Sequence, residues 1–580
     1  MSGAGLLGAA SLALVCALAG AAGAVAQPVE RNPPPATPTP PSEALPVPRA
    51  PPLSGDDRPL SPAIKALVLL GPTDAAPTAA SAASVDVSRL GPTAAGLAAE
   101  LSPFLGRPMS RRNISRIETL IVEEYRRRGR PFVQVSLPEQ EVSQGLLSLR
   151  VIEFHLGEIK VKGAQGAAAS RLGRAVRRQP DGAIDAGRLS QDLDWLNRDP
   201  FRSVTAGFAP GANLGATDLT LTATRSRPWQ VFAGYANSGT PETSEHRYFM
   251  GASAEVLPAL GAVMSLQMTG SPDFWGAGGR PFGQPHPQYR SLSGSLDLPL
   301  APRQALDLSI DAVESNIRDR TDPFASRQQT VEVSLVYRAA LSNLLPLPGD
   351  VALGVEVKRQ TRSTLFGGDP VYGVAAGIYQ LMAGWSGTEQ DRVGRSAFDL
   401  TVHVSPSRFN ASNSDQALAA FSQGEVTSTA YTYADLNVSR ATYLSRSLTL
   451  VSQISAQYAG RAIPNSEQMA LGGVSAVRGY SLDDGAYDDA VVLRDELRLT
   501  GAPWLQRGLL TVDRPFLFAD LGHARDEAAK QDLTIGSLGL GADWRIGRAN
   551  ASLALSDPLT DGPATRAGHW RADFKVAVSY

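Results

Sequence analysis

From residue 227 to its end, the chain has few helix-length apolar faces and reads as a series of strand-like segments separated by turn residues. Many of these segments have 10 or more residues, which is the length that a tilted strand needs to cross a bilayer. An even number of long antiparallel strands is typical of a barrel in a bacterial outer membrane. We predict sixteen strands, at 228–237, 246–257, 260–270, 288–299, 303–316, 328–340, 349–361, 373–388, 395–407, 428–441, 446–460, 489–501, 508–522, 532–546, 548–558 and 567–580.

Alternation of apolar and polar residues within these segments supports a transmembrane barrel. In the last segment Phe574, Val576 and Val578 share one face with the terminal Tyr580, and Lys575 lies on the opposite face. Lipid outside a barrel and water inside it require this pattern. A soluble sandwich has the same period of two, so alternation alone leaves both classes open. The number and length of the strands favour the membrane barrel.

Charge and cysteine content exclude several other classes of protein. The chain has 54 Lys and Arg against 56 Asp and Glu, so it has no broad basic surface and we expect no nucleic-acid partner. The single cysteine, Cys16, excludes a disulfide framework and a thiolate metal cluster. The 6 histidines lack metal-ligand spacing, and no Gly-rich nucleotide motif occurs. We therefore expect no metal and no cofactor.

The N-terminal sequence predicts export. An apolar run from Leu6 to Val25 precedes Ala24-Val25-Ala26, which has the form of a signal-peptidase site. We predict a signal peptide over 1–26; an anchor helix is the alternative. Residues 27–60 are dominated by proline, which predicts an extended tether without a core of its own.

Between the tether and the barrel, one order of elements occurs twice. Residues 61–153 and 154–226 each predict the order β-α-α-β-β. The clearest helix, at 111–128, places Ile114 and Ile117 on one face and has Ser110 available as its N-cap. The repeat predicts two small α+β domains.

Several motifs resemble those of a known family. The similarity covers most of the mature chain, from about residue 61 onwards. The 461–488 connection contains Val477-Arg478-Gly479-Tyr480, and the thirteenth strand contains Phe518-Ala519-Asp520-Leu521-Gly522. The two repeats contain Pro138, Gln140 and Gly145 in the first, and Asn197 and Pro200 in the second. With these motifs the chain resembles the two-partner secretion transporters, the outer-membrane pores that export haemolysins and filamentous adhesins. That family belongs to the superfamily of proteins with POTRA domains and a barrel.

The two barrel motifs have a simple physical interpretation. Phe518, Asp520 and Gly522 share one face of a strand, so Asp520 points into the lumen if the neighbouring leucines meet lipid. A lumenal carboxylate needs a cation, and an arginine on an in-folded loop can bind it with two hydrogen bonds. Gly479 permits a tight turn, and Tyr480 can pack against the ring of Phe518.

The resemblance implies that Arg478 pairs with Asp520 and fixes the loop inside the barrel. The alternative is an ordinary loop arginine and an ordinary lumenal aspartate. The same connection contains Asp483-Asp484 and Asp488-Asp489, which we expect to form a solvated acidic turn rather than a cation site.

The resemblance also implies a function. Two periplasmic POTRA domains would capture an unfolded, β-helical exoprotein by strand addition, and the barrel would pass it to the cell surface or the medium. The other partners would be outer-membrane lipid and the barrel-assembly machinery that inserts barrels. The alternatives are a protein insertase, a diffusion porin and a barrel-type surface enzyme. Such an enzyme requires a histidine at the rim beside a nucleophile or carboxylate, which we do not find in the sequence. The repeats could also be passive spacers.

Overall fold

The computed structural model describes most of the chain as two compact units. Among the described residues, one unit contains 29–35 and those from 229 to 580, and the other contains those from 53 to 228. The predicted signal peptide over 1–26 lies outside the described residues, as does much of the predicted tether. The described residues are 29–35, 53–61, 63–78, 84–91, 94, 96–179, 181–258, 260–276, 286–318, 323–345, 347–499 and 512–580.

The unit of residues 53–228 begins with an α+β domain built on a four-stranded sheet. Its elements are β1 (Pro59–Ser61), β2 (Ala66–Leu70), β3 (Val85–Asp86), α1 (Leu97–Leu101), a 3-10 turn (Ser102–Phe104), β4 (Met109–Ser110), α2 (Arg111–Arg127), β5 (Val133–Ser136) and β6 (Leu146–Glu153). The sheet order is β3-β2-β6-β5, and β1 pairs separately with β4. The Ser110 side chain accepts the N–H of Asn113 and caps α2, as predicted. The apolar face of α2 buries Ile117 and Ile121 in the domain core.

The second domain of this unit has the predicted element order. Its elements are β7 (His155–Lys162), α3 (Gly166–Ala175), α4 (Ala186–Leu196), β8 (Arg202–Pro210) and β9 (Ala216–Arg225). The sheet order is β7-β9-β8, so β8 lies at an edge and pairs only with β9. Leu189 and Leu193 of α4 pack with Leu219 and Leu221 of β9 in the core.

The two α+β domains interlock. Phe132 comes from the first domain but is buried in the core of the second, with its ring centroid 4.4 Å from that of Phe208. Arg130 forms ion pairs of 2.8 Å with both Glu153 and Asp181. Partial burial opposes ionisation of Asp181, but the hydrogen bond from Arg130 lowers the pKa of that carboxyl below its ordinary value. The two domains therefore form one packed body.

The other unit is a closed antiparallel barrel. Its sixteen strands confirm the fold class, because each predicted strand overlaps one barrel strand. In chain order the barrel strands are β10 (Trp229–Ala236), β11 (Arg247–Leu257), β12 (Ala262–Gly270), β13 (Tyr289–Ala301), β14 (Gln304–Arg318), β15 (Phe324–Ala340), β16 (Asp350–Phe366), β17 (Asp369–Gln390), β18 (Gly394–Ser405), β19 (Tyr431–Tyr443), β20 (Leu448–Tyr458), β23 (Asp489–Leu499), β24 (Val512–Asp526), β25 (Gln531–Ile546), β26 (Ala549–Pro558) and β27 (Arg571–Ser579). Between β20 and β23, the short strands β21 (Met469–Ala470) and β22 (Ala486–Tyr487) form a separate pair outside the barrel wall. Pairing of β10 with β27 closes the barrel.

Side-chain exposure along the strands separates a lipid face from a lumenal face. On β24, Leu517 is 60% exposed and Leu521 is 52% exposed, whereas Asp520 is only 4% exposed. Apolar residues therefore face outwards, as a bilayer requires. In the part of the chain that the structure describes, no helix is both long and apolar enough to span a membrane.

The connection between β20 and β23 turns back against the inner wall of the barrel. Leu471, Val477 and Tyr480 of this connection form a buried cluster with residues of the wall strands, including Val492 and Ile535. We call residues 459–488 the inward loop. Two short helices lie in other connections, α5 (Pro272–Trp275) and α6 (Asp415–Phe421). The inward loop brings the first barrel motif to the strand that carries the second.

Candidate functional site

Arg478 lies on the inward loop and binds a carboxylate of the barrel wall. Its Nε and Nη2 each donate to Asp520 at 2.7 Å, and its backbone N–H donates to the same carboxylate at 3.1 Å. Its Nη1 donates to Glu496 at 2.6 Å. Both Arg478 and Asp520 are 4% exposed. The structure therefore brings together the two residues that the sequence motifs link, as a buried bidentate ion pair.

The other two residues of the strand motif each receive a further part of the loop. The guanidinium of Arg478 lies 3.7 Å from the ring centroid of Phe518, a cation–π contact. A Cβ atom on Gly522 would lie 2.7 Å from Val477 and 2.8 Å from Leu471. Glycine is needed there because the loop approaches the strand backbone closely.

The two loop residues that follow Arg478 turn the chain and fasten it. Gly479 has a φ of +90°, and a Cβ atom on it would lie 2.9 Å from Cβ of Ser556. The hydroxyl of Tyr480 contacts the carbonyl oxygen of Gly536 at 3.0 Å and that of Thr560 at 2.7 Å. The expected packing of Tyr480 on Phe518 is replaced, because the guanidinium of Arg478 covers that ring and the turn at Gly479 directs the tyrosine elsewhere.

Residues of β23 complete this site, although they were not among the predicted site residues. Arg494 lies directly across the ladder from Asp520, and Glu496 lies across from Phe518. Glu496 also pairs with Arg498 at 2.6 Å. The polar residues at 494, 496 and 498 share one face of their strand, and this alternation is the sequence signal that places them in the lumen.

Two of the four aspartates for which we expected a solvated turn, Asp484 and Asp488, are buried in the structure, whereas Asp483 and Asp489 are partly exposed. Asp484 is fully buried and accepts the backbone N–H groups of Ser481, Ala564 and Thr565 at 2.7 to 2.9 Å. Asp488 is also fully buried. The prediction was wrong for these two residues because neighbouring connections fold over the loop and supply amide donors. These carboxylates hold the loop closed.

Asp488 binds two connections at once. Its carboxylate accepts the backbone N–H of Ile463 at 2.8 Å, the side-chain amide of Gln468 at 3.0 Å and the backbone N–H of Glu527 at 2.8 Å. Among the described residues, no group of three or more His, Cys, Asp or Glu side chains is placed to hold a metal ion.

A second anchor of the inward loop, which the sequence did not reveal, lies at Glu467. Its side chain is fully buried and pairs with Lys358 of β16 at 2.8 Å. It also accepts hydrogen bonds from the amide of Gln380 at 3.0 Å and the hydroxyl of Tyr433 at 2.8 Å. The inward loop is thus held by buried ion pairs to β16 at Glu467 and to β24 at Arg478.

In the two α+β domains, the POTRA motif residues Gln140 and Asn197 make equivalent hydrogen bonds to the backbone of a strand. The amide of Gln140 donates to the carbonyl of Ser148 at 2.7 Å and accepts the N–H of that residue at 2.6 Å. The amide of Asn197 donates to the carbonyl of Val204 at 3.0 Å and accepts its N–H at 2.6 Å. Each side chain therefore takes the place of a neighbouring strand at one residue of the sheet.

The remaining POTRA motif residues shape turns. Gly145 has a φ of +82°, and its carbonyl accepts the N–H of Lys65 at 2.8 Å, just before β2 and β6 begin to pair. The carbonyl of Pro138 accepts a hydrogen bond from the amide of Gln140 at 3.3 Å. Pro200 lies in the turn between α4 and β8, where the Asp199 side chain accepts the N–H of Phe201 at 3.0 Å.

A closed sixteen-stranded barrel with an anchored inward loop, preceded by two α+β domains, defines the class of POTRA-and-barrel proteins of the outer membrane. The chain belongs to the haemolysin secretion/activation protein family ShlB/FhaC/HecB, whose family model matches residues 215–545, more than half of the chain. The model of the ShlB-type POTRA domain matches residues 84–153.

Two relatives align with most of this chain and with most of their own length. The outer membrane transporter CdiB of Dickeya dadantii (strain 3937) is 24% identical over 493 residues, which cover 82% of this chain and 81% of the relative. The heme/hemopexin transporter protein HuxB of Haemophilus influenzae is 21% identical over 472 residues, which cover 80% of this chain and 78% of the relative. Both relatives are transporters by name.

Solved structures share the fold. CdiB from Escherichia coli superposes with a TM-score of 0.66 at 18% identity, over 90% of this chain and 91% of that chain. CdiB from Acinetobacter baumannii gives a TM-score of 0.57 at 15% identity, over 99% and 98%. The chain is therefore an outer-membrane transporter of the two-partner secretion type, with its POTRA domains in the periplasm. This confirms the resemblance seen in the sequence motifs.

Proposed function

We propose that the second POTRA domain captures an unfolded exoprotein by strand addition at the open edge of β8, and that the client then crosses the barrel lumen. The observation that carries the proposal is which outward-facing backbone groups of β8 already have a hydrogen-bond partner. Asn197 occupies the outward backbone groups of Val204 only. In an antiparallel strand every second residue points its N–H and C=O away from its partner, so those of Ala206 and Phe208 also point outwards from β9.

An edge of this kind suits an unfolded β-prone client, because backbone hydrogen bonds give affinity without demanding a sequence. The strand ends at Pro210, which has no N–H and limits how far a partner strand can extend. In the first POTRA domain, the corresponding edge strand β5 has only 4 residues against 9 in β8. The edge of β8 is therefore the better capture surface of the two.

The lumen offers a polar path for the captured chain. A cavity of about 500 Å³ beside the inward loop is lined by Gln453, Arg494, Glu496 and Arg498 among others. Charges of both signs lie on its wall, which suits an extended polypeptide with mixed side chains. The buried pair of Arg478 and Asp520 holds the inward loop at one side of this path.

The limits of the domains belong to the same proposal. We place the signal peptide at 1–26, the tether at 27–60, the POTRA domains at 61–153 and 154–226, and the barrel at 227–580. The last limit is supported by the short break between the end of β9 and the start of β10. Barrel-assembly machinery for insertion and contact with outer-membrane lipid complete the expected partners.

Other functions are less well supported. A protein insertase shares the architecture, but the relatives found along most of the chain are named transporters. We propose no enzymatic activity. Among the described histidines, His286 lies 2.9 Å from Glu314 and His403 lies 3.3 Å from Glu356. Each of these carboxylates also pairs with a cation, Glu314 with Arg290 at 2.6 Å and Glu356 with Lys358 at 3.7 Å, as in a structural ion-pair network. A diffusion porin needs no capture domains.

A single substitution on the edge of β8 tests the capture step. Ala206→Pro removes one outward N–H, whereas the matched control Ala206→Ser keeps it. Proline is tolerated on an edge strand when its missing N–H faces solvent, so the domain should still fold. We expect Ala206→Pro to reduce client in the medium while the barrel inserts normally, and Ala206→Ser to secrete like the parent chain.

Deletion of 61–226 is the coarser test, and it should abolish export without preventing barrel insertion. Unchanged secretion by Ala206→Pro would remove the edge of β8 from the pathway. Unchanged secretion after the deletion would remove the capture role of both domains.

A further inference from the structure

A short stretch of chain lies against the walls of the barrel unit, with a three-residue turn at Glu30 in which the N–H of Arg31 donates to the carbonyl of Val29 at 2.9 Å. Residues 29–35 contain the adjacent charges Glu30 and Arg31, and each charge reaches a different wall strand. The carboxylate of Glu30 accepts two hydrogen bonds from Arg247 of β11, at 2.8 and 2.6 Å. The guanidinium of Arg31 donates to Glu332 of β15 at 3.0 Å.

The backbone on either side of these charges is also bound. The hydroxyl of Tyr289 donates to the carbonyl of Glu30 at 2.6 Å. The amide of Gln267 donates to the carbonyl of Asn32 at 3.2 Å. The side-chain amide of Asn32 also donates to the hydroxyl of Tyr289 at 2.7 Å. The two contacts to carbonyl oxygens are possible for any peptide, whereas the contact of Asn32 depends on its side chain.

The acid-binding end of this site is rigid. Arg247 is 1% exposed, and its Nη1 donates to the carbonyls of Thr243 at 3.1 Å and Ser244 at 2.5 Å. Its guanidinium also lies 4.0 Å from the ring centroid of Tyr289. Because the protein itself holds this arginine in place, the site does not depend on the bound peptide to form.

The base-binding end has an excess of acids. Glu332 and Glu467 both lie next to Lys358, at 3.4 and 2.8 Å, so one lysine is shared by two carboxylates. Arg31 supplies the second cation, and its Nη2 also donates to the carbonyl of Ser466 in the inward loop at 2.9 Å. One end of the site therefore requires a negative side chain and the other a positive one.

We propose that Arg247, Tyr289, Gln267 and Glu332 form a lumenal binding site for a peptide segment in which an acidic residue is followed directly by a basic one. The chain's own Glu30-Arg31 fills the site at rest, and a client segment with the same charge order binds it in transit. This step rests on the proposed function, since it requires the client to cross the lumen. A cavity of about 430 Å³ next to the bound segment leaves room for a second chain to approach.

Peptide binding to the purified full-length chain tests the proposal. Glu30→Ala with Arg31→Ala removes the resident charges and leaves the walls intact. The probes are three labelled peptides: Gln-Pro-Val-Glu-Arg-Asn-Pro-Pro-Pro, its isomer with Arg-Glu at the centre, and a Glu-Arg peptide flanked only by Gly and Ser. Fluorescence anisotropy gives the Kd of each.

Both Glu-Arg peptides should bind about tenfold or more tightly than the Arg-Glu isomer, because the reversed order places like charges together at both ends. Arg247→Ala and the isosteric Glu332→Gln should each abolish the preference. Lys575→Ala, which removes a cation from the wall of the neighbouring cavity, should leave each Kd within about twofold.

Equal affinity for the two charge orders would overturn the proposal. So would binding of the native nine-residue sequence without binding of the Gly/Ser-flanked peptide, since the site would then read only its own N-terminal segment. These outcomes are distinct from failure of the proposed function. Peptide affinity is measured without secretion, whereas the capture step is judged by client in the medium.

Discussion

Replacing Asp520 by asparagine isolates the ion pair that holds the inward loop. The substitution keeps the shape of the side chain but removes its charge and turns one acceptor oxygen into an NH2 donor. In the parent chain the carboxylate accepts three hydrogen bonds, all from Arg478. The asparagine NH2 would therefore face an N–H donor of Arg478. The guanidinium stays buried with Glu496 at 2.6 Å as its remaining close partner.

The free-energy cost of this substitution to the docking of the loop follows from this geometry. Removing one partner of a buried ion pair costs about 3–5 kcal/mol because the other charge is left uncompensated. Glu496 still compensates part of the charge, so we take the lower end, about 3 kcal/mol. At about 1.4 kcal/mol for each factor of ten, the population of the undocked loop should rise roughly a hundredfold. The barrel wall should remain folded, because its backbone ladders do not include the loop.

Cysteine labelling measures this population directly. Ala476 of the inward loop is 5% exposed, so Ala476→Cys should react with a maleimide only when the loop undocks. The one native cysteine, Cys16, lies in the predicted signal peptide. We expect labelling roughly a hundredfold faster with Asp520→Asn than without it.

A matched control separates loop docking from loss of any lumenal charge. Asp543→Asn removes a lumenal carboxylate that pairs with Arg498 at 3.0 Å but does not contact the loop. It should leave the labelling rate nearly unchanged. Equal labelling rates in the parent chain and Asp520→Asn would refute the anchoring role of the pair.

Four other substitutions test separate parts of the account. Gly522→Val should displace the loop, because a Cβ there would lie 2.7 Å from a loop side chain, and labelling at residue 476 should accelerate as in Asp520→Asn. Gln140→Ala leaves two backbone groups without their side-chain partner and should cost about 1–3 kcal/mol of local stability, seen as faster hydrogen exchange in β6. Phe132→Ala should cost about 3–5 kcal/mol at the contact between the POTRA domains, measured as protease cleavage between them. The pKa of Asp181 is lowered in the folded state, so its ion pair stabilises the contact between the POTRA domains at neutral pH, and this stabilisation is lost as the pH falls through that pKa. Asp181→Asn should therefore make the rate of protease cleavage less dependent on pH.

The strands could be predicted from the sequence where lipid imposes an alternation of apolar and polar residues. The predicted strand ends are inaccurate where a strand extends beyond the lipid. The seventh strand was predicted to end at 361, but β16 continues to Phe366. Residues 360–364 are polar at every position, so no alternation marks them as a strand. Pairing with β17 across the turn at Gly367 extends the ladder beyond the apolar zone.

The candidate site was predictable only where short motifs mark it. The contact of Arg478 with Asp520 could be inferred from two motifs and a strand period. The anchor at Glu467 could not, because its partner Lys358 is far away in sequence and lies beside it only after the barrel closes. The burial of Asp484 also depends on a distant connection, which supplies its amide donors.

The central claim, that a client crosses the lumen of this barrel, is tested most directly by cross-linking a stalled client. An exoprotein fused to a tightly folded C-terminal domain should arrest in transit, with a cysteine in its unfolded part. Gln453→Cys places a partner in the lumen, and Leu521→Cys places one on the lipid face, where the native leucine is 52% exposed. A client that crosses the lumen should form a disulfide to residue 453 and none to residue 521. Cross-links only to residue 521 would contradict it.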